Sequence, residues 1–177
     1  MSAAADRYGK VSITLHWLML ILLIGVYACI ELRELFPRGS DPREALKQWH
    51  FALGLTVFVL VWIRMIARIL GKTPPIVPQV PSWQRLIAHM VEGVLYALMI
   101  VLPVLGWLTL SAEGTAVSFF GLQLPALVGV NEPLAERTEE LHETLATAGY
   151  FFVGAHALAA LFHHYIQRDN TLRRMSF

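Results

Sequence analysis

The chain has one cysteine, Cys29, set inside an apolar run, so an intramolecular disulfide is impossible. Charge is also scarce. Lys, Arg, Asp and Glu make up 15% of the residues and the net charge is +1, which offers no case for nucleic acid as a partner. There is no internal repeat and no low-complexity segment. Within the apolar stretches no Glu-x-x-His motifs face each other, which excludes a di-metal carboxylate site, and no cluster of His, Cys and acids suits zinc or copper. What remains is apolar: 56% of the 177 residues are hydrophobic, too many for an ordinary soluble domain.

The apolar residues fall into four long runs, at about 11–30, 48–70, 83–110 and 139–167, each long enough to span a bilayer as a helix. The first run keeps its place in the protein rather than being removed as a signal peptide, because it is long and its end lacks a small-x-small cleavage pattern. Pro74, Pro75, Pro78 and Pro81 make the second connector stiff and extended. Pro103 implies a kink in the third run. The segment 111–140 reads as the longest loop, with Gly121, Pro125 and Pro133 breaking any helix, and its part 117–130 is apolar enough to lie on the membrane surface. The expected fold is therefore all-α: one domain over 1–177, a bundle of four transmembrane helices.

Basic residues concentrate on one side of this chain. The N-terminus, the Pro-rich connector and the C-terminus carry Arg7, Lys10, Lys72, Arg85, Arg168, Arg173 and Arg174, with Arg64 and Arg68 at the adjoining helix end. On the other side Arg33, Arg38, Arg43, Lys47 and Arg137 are diluted by most of the carboxylates. The positive-inside rule then places both termini in the cytoplasm.

The histidines follow a rule of their own. His142, Gly149, His156 and His163 recur every seven residues, close to two helical turns, and so share one face of the fourth helix. From His142 to His156 the rise is ~21 Å, enough to put one site in each half of a hydrocarbon core roughly 30 Å thick. Depth pairs His142 with His50, the only other histidine expected at the outer side. In the inner half His16 pairs with His156, although spacing alone leaves His163 or His89 open. Two axial imidazoles from opposite helices are what a b-type haem needs, since the porphyrin supplies the other ligands. Gly54 and Gly149 leave room for the ring. The plainer reading, four histidines satisfied by interhelical hydrogen bonds, does not account for two matched depths.

Four stretches carry a resemblance: Ile13-Thr14-Leu15-His16-Trp17; Trp49-His50 after Phe36-Pro37-Arg38; Thr73-Pro74-Pro75-Ile76-Val77-Pro78; and the block from His142-Glu143-Thr144-Leu145, through His163-His164-Tyr165, to Asp169-Asn170-Thr171-Leu172. Over essentially its whole length the chain resembles the bacterial cytochrome b561 family, including its superoxide oxidase type. That resemblance implies two haem b groups on His16, His50, His142 and His156. It implies oxidation of superoxide at the periplasmic side and reduction of ubiquinone near the inner side, within the lipid bilayer. The alternative is a haem-bearing anchor subunit linking a dehydrogenase or hydrogenase partner to the quinone pool; a partner protein is possible but not required. For the quinone, His163 continues the histidine stripe to the inner surface and Trp83 offers a flat apolar wall. The family's connector can carry a lysine after its last Pro-Pro-x-x-Pro proline, where this chain has Gln79. His89 and Glu92 lie one turn apart on the third helix, where they could pair. His164 points about 100° away from His163 and is given no role.

Overall fold

A computed structural model describes residues 6–177. Four helices account for the apolar runs: α1 Lys10–Leu32, α2 Asp41–Leu70, α3 Ser82–Ala112 and α4 Glu132–Phe162. Each is long and apolar enough to cross a membrane. Their outward faces carry large apolar side chains such as Ile21, Ile66 and Phe151, as expected of helices that meet lipid.

Two boundaries differ from the sequence reading. α2 begins seven residues earlier than expected, at Asp41, because Pro42 occupies its first turn and Asp41 and Glu44 favour the positive helix N-terminus. α4 likewise begins at Glu132. The Asn131 side chain accepts from Leu134 N at 3.1 Å, and Pro133, read as a breaker, sits in the first turn where proline is welcome. His50 and His142 consequently lie well inside their helices, nine and ten residues beyond the first one, or about 13–15 Å by helix rise. α3 runs unbroken through Pro103.

The helices pack as two hairpins. α1 lies along α2 and α3 along α4, while α2 and α3 meet over a shorter length. Met19, Val57 and Val61 form the buried contact between α1 and α2, with Tyr96, Met99 and Ile100 of α3 packed on it. α3 and α4 share a buried polar contact in which Thr109 Oγ1 donates to Thr138 Oγ1 at 2.8 Å and Thr138 Oγ1 donates to Leu134 O of its own helix. Between α3 and α4 the expected loop contains a small hairpin, β1 Val117–Phe119 with β2 Leu122–Leu124, Phe119 opposite Leu122. Its turn residues Phe120 and Gly121 both have positive φ, the condition of a type I′ turn. Val117 tucks under it against Leu55 and Leu110, and Trp107 Nε1 donates to Pro125 O at 3.1 Å. The hairpin thus seals one end of the bundle.

The opposite end is closed by the C-terminal segment. A π turn over 163–167 follows α4, and Arg168 then takes a left-handed φ of 56° that reverses the chain. Asn170 holds the Pro-rich connector through Val77 N and O and Pro75 O. Trp17 Nε1 donates to Met175 O at 2.8 Å. Tyr8 Oη accepts from Arg68 and Arg174, whose guanidinium groups also lie 4.8 and 5.2 Å from its ring centre. N-terminus, connector and C-terminus therefore meet at one end, as four spans require.

Candidate cofactor site: two facing imidazole pairs

Between the two hairpins the fold brings histidines together twice. The His50 and His142 rings, on α2 and α4, stand 6.2 Å apart between centres at 65°. His16 and His156, on α1 and α4, stand 6.1 Å apart at 61°. Among the described residues neither pair is joined by a ring-to-ring hydrogen bond. Two metal–nitrogen bonds of about 2 Å each, plus the ring radii on either side, add up to a separation of this size.

The surroundings test whether a planar tetrapyrrole fits. A cavity of about 410 Å³ opens beside the first pair, lined by Tyr27, His50, Gly54, Gly106, His142 and Gly149 among mainly apolar neighbours. A Cβ on Gly54 would meet nothing within 4 Å, and one on Gly106 would meet the His142 ring at 3.5 Å. Larger residues at these places would fill the space beside the imidazoles. His50 Nδ1 lies 3.0 Å from Val26 O, and since a carbonyl only accepts, Nδ1 carries the hydrogen and Nε2 keeps a free lone pair. His142 Nδ1 is buried without a partner. Among the described residues no three of His, Cys, Asp and Glu gather as a bare ion would need, which suits a group that brings its own equatorial ligands. The first pair fits a haem as it stands.

The second pair fits after one change. Arg64 Nη2 lies 3.0 Å from His16 Nδ1 and Nη1 lies 3.4 Å from Ser12 O. A guanidinium only donates, so Nδ1 accepts here and the His16 hydrogen sits on Nε2. Metal binding through Nε2 requires Arg64 to turn away. A carboxylate introduced beside it, such as a porphyrin propionate, would suit its charge. Glu92 is half-buried on α3.

The remaining sequence candidates are spread out. His163 opens the π turn, and its Nδ1 meets Asp169 Oδ2 at 2.5 Å. The Asp169 side chain is 1% exposed and that of His163 17%. Burial alone would push the Asp169 carboxyl up, but hydrogen bonds from His163 and Thr171 outweigh it and hold the group below the usual aspartate value. Trp83 and Gln79 are exposed, and neither hydrogen-bonds His163. His89 is exposed on α3 and forms no pair with Glu92. His164 keeps a buried Nδ1 without a partner. Of the basic residues at the other end, Arg33 and Lys47 line the cavity, whereas Arg43 is spent on Glu34 and on the carbonyls of Arg33 and Phe36.

Sequence reasoning missed Asp169, which lay in plain view six residues after His163, and the Tyr27 contact. Tyr27 Oη donates to Ala146 O at 2.8 Å over Gly149, and Tyr150 Oη donates to Glu31 Oε1 at 2.7 Å, crossing from α4 to α1. The room expected for a ring at Gly149 is taken up by the Tyr27 hydroxyl, an occupant that the sequence did not announce.

A family profile described as prokaryotic cytochrome b561 matches residues 7–177. The chain is 40% identical over 170 residues to cytochrome b561 homolog 1 of Escherichia coli K12, covering 96% of this chain and 97% of that protein. It is also 40% identical over 169 residues to a probable superoxide oxidase, CybB, of Yersinia pestis, covering 96% and 95%. A cytochrome b562 of Cereibacter sphaeroides is 28% identical over 178 residues, covering 95% and 94%.

Proposed function

Because the chain belongs to the prokaryotic cytochrome b561 family of membrane electron-transfer proteins, we propose that it oxidises superoxide at the periplasmic face and passes the electrons by way of two b-type haems to ubiquinone at the cytoplasmic face. The observation that carries this reading is the double one: two imidazole pairs at 6.1 and 6.2 Å, both using α4, one in each half of the bundle. Bound between a pair, a haem supplies a reversible one-electron carrier. His16, His50, His142 and His156 hold the two iron centres.

The chain's other residues set the conditions. Val26 O fixes the His50 tautomer and so the ring's donor nitrogen. Apolar side chains such as Leu23, Leu55, Leu98 and Met99 make up much of the cavity wall beside the first pair. His163, at the end of α4, meets the quinone, while the connector held by Asn170 brings the Gln79 and Trp83 segment to the same end. The relative named a probable superoxide oxidase supports the choice of donor. Both termini face the cytoplasm under the positive-inside rule.

One observation favours a second reading. The cavity lining includes Glu31, Glu113, Glu139 and Glu143 against Arg33 and Lys47, a negative balance that repels a superoxide anion and suits electron delivery by a docked partner protein. Stopped-flow absorbance on the isolated haem-loaded chain decides between them. Superoxide should reduce the haems within milliseconds to seconds, and added ubiquinone should reoxidise them. Haems that stay oxidised under superoxide, yet still pass electrons to quinone after chemical reduction, point to the partner-fed protein instead.

A further inference from the structure

The pairing of His163 with Asp169 is built with more care than a helix end needs. α4 could have stopped with a simple left-handed residue. Instead it widens into a π turn at His163, reverses at Arg168 and closes with Asp169 N on His163 O at 3.1 Å. This folds a carboxylate back onto the imidazole that opened the turn. Asp169 Oδ1 accepts from Thr171 N at 2.8 Å and Oδ2 takes Nδ1 of His163, so both oxygens are engaged and the side chain is almost wholly buried. Such a carboxylate cannot swing away. The imidazole is different: Nδ1 is taken, yet the ring keeps 17% exposure. The one ring nitrogen left to meet a ligand is Nε2.

We propose that Asp169 is the positioning residue that makes His163 a proton donor to the quinone, by holding the ring through Nδ1 and presenting Nε2 to a quinone carbonyl oxygen. This rests on the reading that quinone is reduced at this end of the bundle. Reduction of one quinone takes two electrons, one from each of two superoxide anions that leave as oxygen, and two protons. In its doubly protonated form His163 gives the Nε2 hydrogen to the carbonyl oxygen as the O–H bond forms, and keeps the Nδ1 hydrogen on Asp169. Water at the inner surface supplies the second proton and restores the first. The carboxylate fixes the ring through Nδ1 and leaves Nε2 as the nitrogen that faces the ligand, which is the usual work of an aspartate behind a histidine.

The test uses the haem-loaded chain in detergent with a short-chain ubiquinone, and follows haem reduction by superoxide and haem reoxidation by quinone separately. Asp169→Asn, whose amide can donate to Nδ1 and so favour the wrong tautomer, should leave the reduction rate unchanged. It should slow reoxidation at saturating quinone about 10–100-fold, the range seen when such a supporting partner is lost, with a smaller change in the half-saturating concentration. In a His163→Gln background the same substitution should add nothing, because Asp169 then has no ring to act on. Wild-type reoxidation rates in Asp169→Asn, or equal losses in both backgrounds, would overturn the proposal. If Asp169→Asn fails to keep its haems, Asp169→Glu takes its place in the same cycle: a loss confined to the His163 background supports the proposal, and an equal loss in both, or none, overturns it. A wild-type chain that quinone does not reoxidise sinks the functional reading itself; a wild type that works beside an unaltered Asp169→Asn sinks only the role of Asp169.

Discussion

His50 on α2 donates through Nδ1 to the carbonyl oxygen of Val26 on α1 at 3.0 Å. One interhelical bond therefore does two things: it ties α2 to α1 and leaves Nε2 unprotonated for a metal. Removing the ring removes both. His50→Ala and His142→Ala should each yield a folded chain with about one haem instead of two, the other pair being untouched. His16→Ala and His156→Ala should give the same stoichiometry by loss of the opposite haem. A haem-to-protein ratio with a reduced-minus-oxidised spectrum reads this directly. A single variant that loses both haems, or none, contradicts the pairing.

Gly54 gives a test of the cavity that leaves all four histidines in place. A Cβ there has nothing within 4 Å, and the residue lines the cavity beside His50. Gly54→Leu should place a side chain in that space. Replacing a mid-helix glycine by leucine gains about 1 kcal/mol of helix propensity, so the haem-free chain should melt no lower than wild type. Haem content should nonetheless fall toward one per chain. Full occupancy by two haems would show that the cavity is not where the ring lies.

The four apolar runs and the seven-residue spacing on α4 were legible in the sequence because hydropathy and helical phase are local properties. The helix starts were not. Residues 41–47 and 132–138 are rich in charge and hold Pro42 and Pro133, so they read as loop, whereas in the fold they are first turns of helices, largely exposed apart from Ala135 and Thr138, in which proline is compatible with the helix. The junction of His163 with Asp169 was hidden for another reason. It depends on a π turn and on Arg168 at positive φ, neither of which has a fixed residue signature. Likewise Gly149 on the histidine stripe read as room for a ring, and only the fold shows how closely Tyr27 approaches there.

That approach is tight enough to measure. A Cβ on Gly149 would run into Tyr27 Oη, which donates to Ala146 O, while the Tyr27 ring lies 4.3 Å from that of Tyr150. Gly149→Ala should destabilise the protein by about 1–3 kcal/mol through overpacking. Tyr27→Phe removes the clashing atom, so the double variant should recover part of the loss despite the missing hydrogen bond. Thermal melts of the two single variants and the double variant check this. Losses that simply add would mean the two residues do not meet.

Arg64 stands 3.0 Å from His16 Nδ1 and 5.8 Å from the Tyr96 ring centre. A fixed positive charge beside a redox centre stabilises its reduced form, which carries one more electron. Arg64→Ala should therefore lower the midpoint potential of the haem held by His16 and His156 and leave the other nearly where it was. A redox titration resolving the two haems reads both values. Equal shifts of both, or a rise in the first, would place Arg64 away from that haem in the loaded protein.

The last expectation concerns acid. Asp169 is buried, which by itself pushes its carboxyl up, but the bonds from His163 and Thr171 hold it below the ordinary aspartate value. A carboxyl whose pKa is lower folded than unfolded binds fewer protons in the native state. Its contribution to stability is then present at neutral pH and disappears as the pH falls through the folded value. Hydrogen bonds to a charged group are worth about 1.5–3 kcal/mol, so Asp169→Asn should melt several degrees below wild type at pH 7. The amide has no proton to take up, so the gap should begin to narrow as the pH drops below the ordinary aspartate range and go on narrowing toward the lower folded value, where the wild-type carboxyl is protonated. Melting curves of both proteins from pH 7 down to pH 3 measure this. A gap that keeps its full size at pH 3 would show that the aspartate charge contributes nothing and that the fold of the turn alone holds the segment.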